Sequence, residues 1–315
     1  MLLLLGLLVG LGCLFFGGDW LVKGSSKLAE SLGISPLVVG LTVVAFGTST
    51  PELLVSVSAA LGGSSDIAIG NVVGSNIANI GLILGLSGII YPIGVQAGLL
   101  RREIPIMLVV ALAAVLMIQD GIVNRSDASI LLVGMFLFIV FMIISSLREQ
   151  KQSTNGEPED TNTPPINRMQ EMGRLLVGIV VLMVGAQLTV GSATDIARNF
   201  GVSELLIGIT LIAVGTSLPE LVTSVVAAVN KESDIAIGNV VGSNIFNILG
   251  ILSITALVKP IPVSQQIITV EALIMLGFSF LVLPFALDRK LGRLEAIVFL
   301  LGYIGFMAYA VYGAM

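Results

Sequence analysis

Two glutamates lie inside long apolar stretches of this sequence, and that position makes them the strongest candidates for chemistry. Glu52 and Glu220 are the only carboxylates well within segments long enough to cross a membrane. A charged side chain at the centre of a bilayer costs at least ~3 kcal/mol, and such residues usually belong to an ion or substrate pathway. We therefore expect these two glutamates to form the functional centre of the protein.

Each glutamate is preceded by the run Gly-Thr-Ser-x-Pro, which predicts a break in the helix that carries it. Proline lacks a backbone N–H and clashes with the carbonyl four residues before it, which here belongs to Gly47 or Gly215. We expect both helices to break at these glycines. The break would free carbonyl oxygens, including those of Ala45 and Ala213, to bind a cation.

Oxygen-bearing side chains accompany both glutamates. Thr48 and Ser49 precede Glu52 by four and three residues, so all three face the same side of a helix. The same spacing recurs before Glu220, and the next segment of each half adds a serine and an asparagine four residues apart. The further candidates are Thr216, Ser217, Ser75, Asn79, Ser243 and Asn247. The sequence has no His, and none of these ligands carries sulfur, so the set favours Ca²⁺ or Na⁺ over zinc or copper.

The two glutamate-bearing segments are copies of one another. Residues 40–80 and 208–248 align at a constant offset of 168, and 28 of the 41 positions are identical. Identity is concentrated on polar residues, whereas a duplication kept only for packing would preserve apolar shape. The repeat therefore predicts a site that both halves of the chain build together.

The segments that carry these residues are predicted to be membrane helices. Hydrophobic residues make up 56% of the 315 positions and charged residues 11%, well below the roughly 25% charge of a soluble domain. A membrane helix needs about 20 apolar residues. The candidate spans are about 2–22, 37–61, 68–90, 104–118, 129–147, 173–194, 205–229, 236–258, 267–286 and 294–314. The composition also excludes a basic nucleic-acid-binding surface, and nothing in it indicates an obligate protein partner.

Loop charges support ten spans and orient them. One side of the membrane receives only Arg125, Arg198 and Lys259, and the other twelve Lys and Arg residues fall on the opposite side, as the positive-inside rule expects. Five spans per half make the second half enter the membrane from the opposite side. We predict an all-α polytopic membrane protein with a first five-helix repeat at 1–147, a cytoplasmic linker at 148–172 and a second, inverted repeat at 173–315. Both termini would lie outside the cell.

The repeated segments resemble the two alpha-repeats of the sodium/calcium exchangers, in the calcium/cation antiporter superfamily. The resemblance rests on "GTSTPEL", "GTSLPEL" and the paired "GNVVGSNI", and it extends over nearly the whole chain. It implies that Glu52 and Glu220 are central ligands shared by Ca²⁺ and Na⁺. It further implies that the hydroxyls named above, the carbonyls of Ala45 and Ala213, and the amides of Asn79 and Asn247 complete the sites. A prokaryotic plasma membrane is the expected location.

The same resemblance bears on the coupling ion. Relatives that depend on potassium are among those with Asp at one of the two asparagine positions, whereas this chain has Asn79 and Asn247. Proton-coupled members tend to carry "GNAxEL" in place of the run found here, which favours sodium. The 25-residue linker has no room for the family's large calcium-sensing domains.

These residues predict a secondary antiporter and not an enzyme, with Ca²⁺ and Na⁺ as transported ions and no cofactor. The ions would compete for one site by alternating access, and the first and sixth spans, which contain Gly17, Gly18, Gly185 and Gly191, could slide as a gate. Ordinary helix packing also explains those glycines. The alternatives are a proton-coupled cation exchanger, in which two nearby carboxylates hold a proton, and a Ca²⁺ channel, which would need no counter-ion.

Overall fold

The computed structural model describes residues 2–153, 167–200 and 213–313, and these residues are almost entirely helical. The expected seventh span lies partly outside them. The helices are α1 (Leu2–Leu32), α2 (Pro36–Thr48), α3 (Thr50–Leu61), α4 (Ser65–Ile90), α5 (Leu99–Asp120), α6 (Arg125–Ser153), α7 (Arg168–Asn199), α8 (Leu218–Val229), α9 (Ser233–Val258), α10 (Ile267–Phe285) and α11 (Arg293–Gly313), with a short helical turn at Ala213–Gly215 before α8.

Most of these helices are long and apolar enough to cross a bilayer. Eight of the described helices meet that condition alone, and α2 and α3 form a ninth candidate span that is bent by 43°. Helix α8 has only 12 residues and covers the described end of the expected seventh span. The structure therefore supports an integral membrane protein with eight or nine candidate spans among the described residues.

The repeat is visible in the local helix geometry. Wider π-helical turns occur at Asn79–Leu84 and Asn247–Leu252, and again at Leu99–Glu103 and Ile267–Glu271. Each pair is separated by the offset of 168 seen in the sequence. Because π turns in α-helices occur frequently at functional sites, the turns that begin at Asn79 and Asn247 draw attention to those residues.

Two short antiparallel strand pairs lie in the loops of this otherwise helical fold. Strand β1 (Ile93–Gly94) pairs with β4 (Lys290–Leu291), and β2 (Ile122–Val123) pairs with β3 (Ile261–Pro262). Each pair joins a loop of the first half to a loop of the second half. Two-residue strands leave no periodic signal in a sequence, and their hydrogen bonds form only when distant loops meet.

The core is built around α4 and α9, which contain many of the buried apolar side chains. Glycines let α9 approach α2 closely: a Cβ on Gly242 would lie 2.5 Å from the carbonyl oxygen of Leu41, and one on Gly238 would lie 3.0 Å from that of Leu37. Small residues at helix interfaces allow such approach in membrane proteins. This packing brings the polar residues of α9 against the bent span α2–α3.

Candidate cation-binding site

Both candidate glutamates lie in the first turn of a helix that follows a break. Glu52 is in the first turn of α3 and Glu220 in the first turn of α8, and each is only 1% exposed. The start of a helix carries unpaired N–H groups and the positive end of the helix dipole, which favour a carboxylate. The local structure therefore holds two acids deep inside the protein.

The break lies two residues beyond its predicted position. Ser49 separates α2 from α3 with φ −82° and ψ 6°, whereas the sequence predicted the break at Gly47. Pro51 occupies the first turn of α3, where the N–H that proline lacks would be unpaired in any case. The chain therefore turns just before the proline. The second half turns at residues 216–217, again beyond the glycine that was expected to break it.

The expected free carbonyl of Ala45 is already used within the helix. Its oxygen accepts a hydrogen bond from Ser49 N at 3.1 Å and lies 3.3 Å from Thr48 Oγ1. Ala213, its counterpart, begins the short turn before α8. The shift of the break explains the difference, because the helical bond to Ser49 survives. Ligand roles for the two alanine carbonyls stay predictions.

Serine hydroxyls join the carboxylates across the two halves. Ser49 Oγ donates to Glu220 Oε1 at 2.8 Å, and Ser217 Oγ lies 3.1 Å from Glu52 Oε1. Ser217 Oγ is also 3.3 Å from Ser75 Oγ. Each acid is therefore oriented by a serine from the opposite half, and only one of its two oxygens is used.

Several buried oxygens of the candidate ligands have no hydrogen-bond partner among the described residues. They are Glu52 Oε2, Glu220 Oε2, Asn79 Oδ1, Asn247 Oδ1 and Ser243 Oγ. An unsatisfied buried polar group costs about 1–3 kcal/mol, and more when it is charged. Oxygen atoms of carboxylates, amides and hydroxyls are the ligands that hard cations prefer. The orphaned atoms therefore fit a site for Ca²⁺ or Na⁺.

The two candidate threonines bond to asparagines of the opposite half. Thr48 Oγ1 lies 3.1 Å from Asn239 Oδ1, and Thr216 Oγ1 lies 3.4 Å from Asn71 Oδ1. Thr48 is 1% exposed, whereas Thr216 is half-buried. The two threonines therefore have equivalent hydrogen-bond partners but differ in solvent exposure.

Asn71 and Asn239 are important residues that the sequence analysis did not select. Asn71 Nδ2 donates to the backbone oxygen of Glu52 at 3.0 Å, and Asn239 Nδ2 donates to that of Glu220 at 3.2 Å. They hold the helix turn that carries each acid. Both occupy the second position of the repeated "GNVVGSNI", at the offset of 168, and this repetition of a polar residue could have identified them.

The charge of the site is low. Among the described residues, no group of three or more His, Cys, Asp and Glu side chains could hold a metal ion. The centre therefore offers two carboxylates surrounded by neutral oxygens. Such a set can neutralise a divalent cation without adding the further charges that high-affinity calcium sites use.

Known proteins similar to this chain are ion exchangers and membrane proteins. The chain matches the family described as sodium/calcium exchanger protein over residues 2–144 and 171–312. It is 33% identical over 345 aligned residues to the sodium/calcium exchanger MaX1 of Methanosarcina acetivorans, across 97% of each chain. It is 40% identical over 257 residues to the inner membrane protein YrbG of Escherichia coli, across 81% of this chain and 79% of that one. A solved structure of the sodium-calcium exchanger NCX_Mj soaked with Na⁺ and Ca²⁺ matches with a TM-score of 0.86 and 35% identity, across 98% of each chain.

Proposed function

Because the chain belongs to the sodium/calcium exchanger protein family, we propose that it exchanges Na⁺ for Ca²⁺ at the site around Glu52 and Glu220. Members of this family are transporters and not enzymes. The observation that carries the proposal is the set of buried, unpartnered oxygens contributed by both halves. Those atoms would hold the transported ion.

Competition for the two carboxylates accounts for the exchange. One Ca²⁺ or two Na⁺ would neutralise Glu52 and Glu220, so the ions exclude one another from the centre. The unpartnered oxygens of Asn79, Asn247 and Ser243 would complete the coordination without adding charge. The remaining proposed ligands are Thr48, Ser49, Ser75, Thr216 and Ser217, with the backbone oxygens of Ala45 and Ala213.

We assign the chain two inverted five-helix repeats, with boundaries at 1–147 and 173–315 and the linker at 148–172 between them. Contacts that recur at the offset of 168 support this assignment. Ser49 and Ser217 each bond to the glutamate of the opposite half. The strand pairs β1–β4 and β2–β3 are related in the same way, because each pairs a loop of one half with a loop of the other. Inverted repeats of this kind place substrate sites at the interface of the halves.

The two repeat-related threonines of the site differ in exposure, and this difference supports alternating access. A cavity of about 330 Å³ reaches Thr216 between α3 and α7, and its lining includes Pro51 and Gln187. Thr48, which matches Thr216 in the repeat, is 1% exposed. We infer a conformation that opens the site toward one side of the membrane and closes it toward the other.

The pairing of α1 with α7 supports their proposed role as a moving unit. A Cβ on Gly17 would lie 2.7 Å from Leu182 N, and one on Gly185 would lie 2.7 Å from Leu14 N. Backbone contact this close binds the two helices to each other. The pair would then move across the remaining helices together.

The other two glycines of the proposed gate have different surroundings. A Cβ on Gly18 would lie 3.0 Å from Val222 Cγ1 of α8, so Gly18 lies where the pair meets the rest of the bundle. A Cβ on Gly191 would meet no described heavy atom within 4 Å, and Gly191 lines the cavity at Thr216. Gly18 is thus the better candidate for a sliding contact.

The charge distribution supports one orientation of the protein in the membrane. We place both termini outside and the linker in the cytoplasm, because twelve of the fifteen Lys and Arg residues then lie on the cytoplasmic side. The plasma membrane of a prokaryote is the proposed location. The strand pairs are consistent with this arrangement, since each joins two loops assigned to the same side.

Calcium uptake into proteoliposomes tests the proposal. Vesicles loaded with Na⁺ and diluted into sodium-free buffer should take up radioactive Ca²⁺, and vesicles with only a proton gradient should not. Uptake driven by protons alone would transfer the chain to the proton-coupled exchangers, and uptake that needs no counter-ion would indicate a channel. A Glu295→Gln variant provides a matched control, because Glu295 lies in the first turn of α11 and outside the site.

A further inference from the structure

Two chains of buried side-chain amides begin at the candidate ligands Asn79 and Asn247, and each ends on a methionine. In the first, Asn79 Nδ2 donates to Asn244 Oδ1 at 3.1 Å, and Asn244 Nδ2 points to Met107 Sδ at 3.7 Å. All three residues lie in the core of the described structure, with exposures of 1%, 2% and 1%. We call this arrangement the amide chain.

The other half contains a matching amide chain. Asn247 Nδ2 donates to Asn76 Oδ1 at 3.0 Å, and Asn76 Nδ2 points to Met275 Sδ at 3.5 Å. Each of its residues lies 168 positions after or before its counterpart in the first chain. The six residues therefore form three repeat-related pairs, including a methionine pair that no hydroxyl or carboxylate pattern would have selected.

Each amide chain has one direction. An asparagine side chain offers an NH₂ donor at one end and an oxygen acceptor at the other. In Asn79 and Asn247 the donor bonds to a further asparagine, and the oxygen is left buried without a partner among the described residues. The arrangement therefore presents oxygen, and not NH₂, to a cation.

The methionine sets that direction. A thioether sulfur is a weak acceptor and has no proton to donate, so only the NH₂ end of Asn244 can interact with Met107. If Asn244 turned over, its oxygen would face the sulfur and its NH₂ would face the NH₂ of Asn79. Both contacts would be lost in a buried place, where unpaired polar groups are costly.

We propose that Asn76 and Asn244 are positioning residues that hold the amide oxygens of Asn247 and Asn79 toward the transported ion, with Met275 and Met107 as the terminal acceptors. This inference rests on the proposed exchange function and concerns the same site. Each chain alternates between the halves: Asn79 and Met107 come from the first, and Asn244 comes from the second. One half therefore orients the neutral ligand of the other.

The test is a double-mutant cycle on the half-saturating Ca²⁺ concentration of Na⁺-driven uptake. Asn244→Ala removes the acceptor that orients Asn79, and we expect the half-saturating concentration to rise about tenfold with little change in maximal rate. In the N79D background both ends of the side chain are oxygens, so no orientation is left to lose. There the same Asn244→Ala change should raise the half-saturating concentration less than threefold.

Two further variants separate positioning from a general structural role. Asn244→Asp in its protonated form keeps an acceptor for Asn79 Nδ2 and an O–H donor for Met107 Sδ, so at near-neutral or lower pH it should restore an affinity within about threefold of the unmodified protein. Ser253→Ala removes another buried side chain of α9, whose Oγ bonds to Leu249 O within its own helix, and should leave the affinity unchanged. If Asn244→Ala does not yield folded protein, Asn76→Ala with the N247D background supplies the same cycle in the other half.

The outcomes are distinguishable. Equal losses of affinity in the unmodified and N79D backgrounds would overturn the positioning role, as would a loss of maximal rate alone. An unmodified protein that takes up no Ca²⁺ in response to Na⁺ would refute the proposed function and not the amide chain. In that case, direct binding of radioactive Ca²⁺ to the purified variants tests the amide chain by the same cycle.

Discussion

Replacing Gly17 by alanine should separate α1 from α7 and destabilise the protein. A Cβ at this position would lie 2.7 Å from Leu182 N and 3.0 Å from Gly178 O, which are backbone atoms that cannot rotate away. Ordinary contacts need about 3.4 Å or more, so the helices would have to move apart by several tenths of an ångström. Overpacking of this kind typically costs about 1–3 kcal/mol.

The matched control is Gly12→Ala in the same helix. A Cβ on Gly12 would meet no described heavy atom within 4 Å. Both variants share any gain in helix propensity from replacing glycine, so their difference reports the clash alone. At about 2 °C per kcal/mol for a protein of this size, Gly17→Ala should melt about 2–6 °C below Gly12→Ala.

Two measurements check this prediction. Thermal unfolding of the purified protein in detergent gives the difference in Tm, and Na⁺-driven uptake gives the half-saturating Ca²⁺ concentration. That concentration should be the same in both variants, because Gly17 does not contact the glutamates. Equal melting temperatures would refute the close backbone contact between α1 and α7, and with it the argument that the two helices move as one unit.

Three other predictions concern the ion site. Asn71→Ala should raise the half-saturating Ca²⁺ concentration about tenfold, because it releases the backbone at Glu52. Replacing exposed Ser58 by alanine, on the helix that carries Glu52, should not change it. Lowering the pH should reduce uptake measured at a fixed Ca²⁺ concentration, because a protonated carboxyl at the centre carries no charge for the ion; uptake that rises with acidity would contradict this. Replacing K⁺ by choline on both sides of the vesicles should leave Na⁺-driven uptake unchanged, since Asn79 and Asn247 are neutral; a requirement for K⁺ would disprove it.

The sequence singled out the two buried glutamates and the serines beside them because the signal was local and doubled. Glu52 and Glu220 stand out by charge within apolar segments, and the serines beside them follow at helical spacing. Both glutamates are buried as expected, and Ser49 and Ser217 bond to them. The serines bond to the acid of the other half, however, and helical spacing within one segment could not predict that.

The parts that the sequence analysis missed depend on contacts between distant residues. The partners of Asn71 and Asn76 lie 145 and 171 positions away, in Thr216 and Asn247. The helix break was misplaced by two residues because a proline was treated as breaking the turn before it. In the structure it begins a new helix, so the carbonyl of Ala45 keeps its hydrogen bond.

Exchange by the Glu52→Gln variant is the most direct test of the central claim. Glutamine keeps the size of the side chain and removes its charge, so the shared ion site would lose half of its negative charge. We predict that Na⁺-driven Ca²⁺ uptake into proteoliposomes is abolished, while the Glu295→Gln control exchanges normally. Full exchange by Glu52→Gln would contradict the account, because it would place the transported ion somewhere other than the buried glutamates.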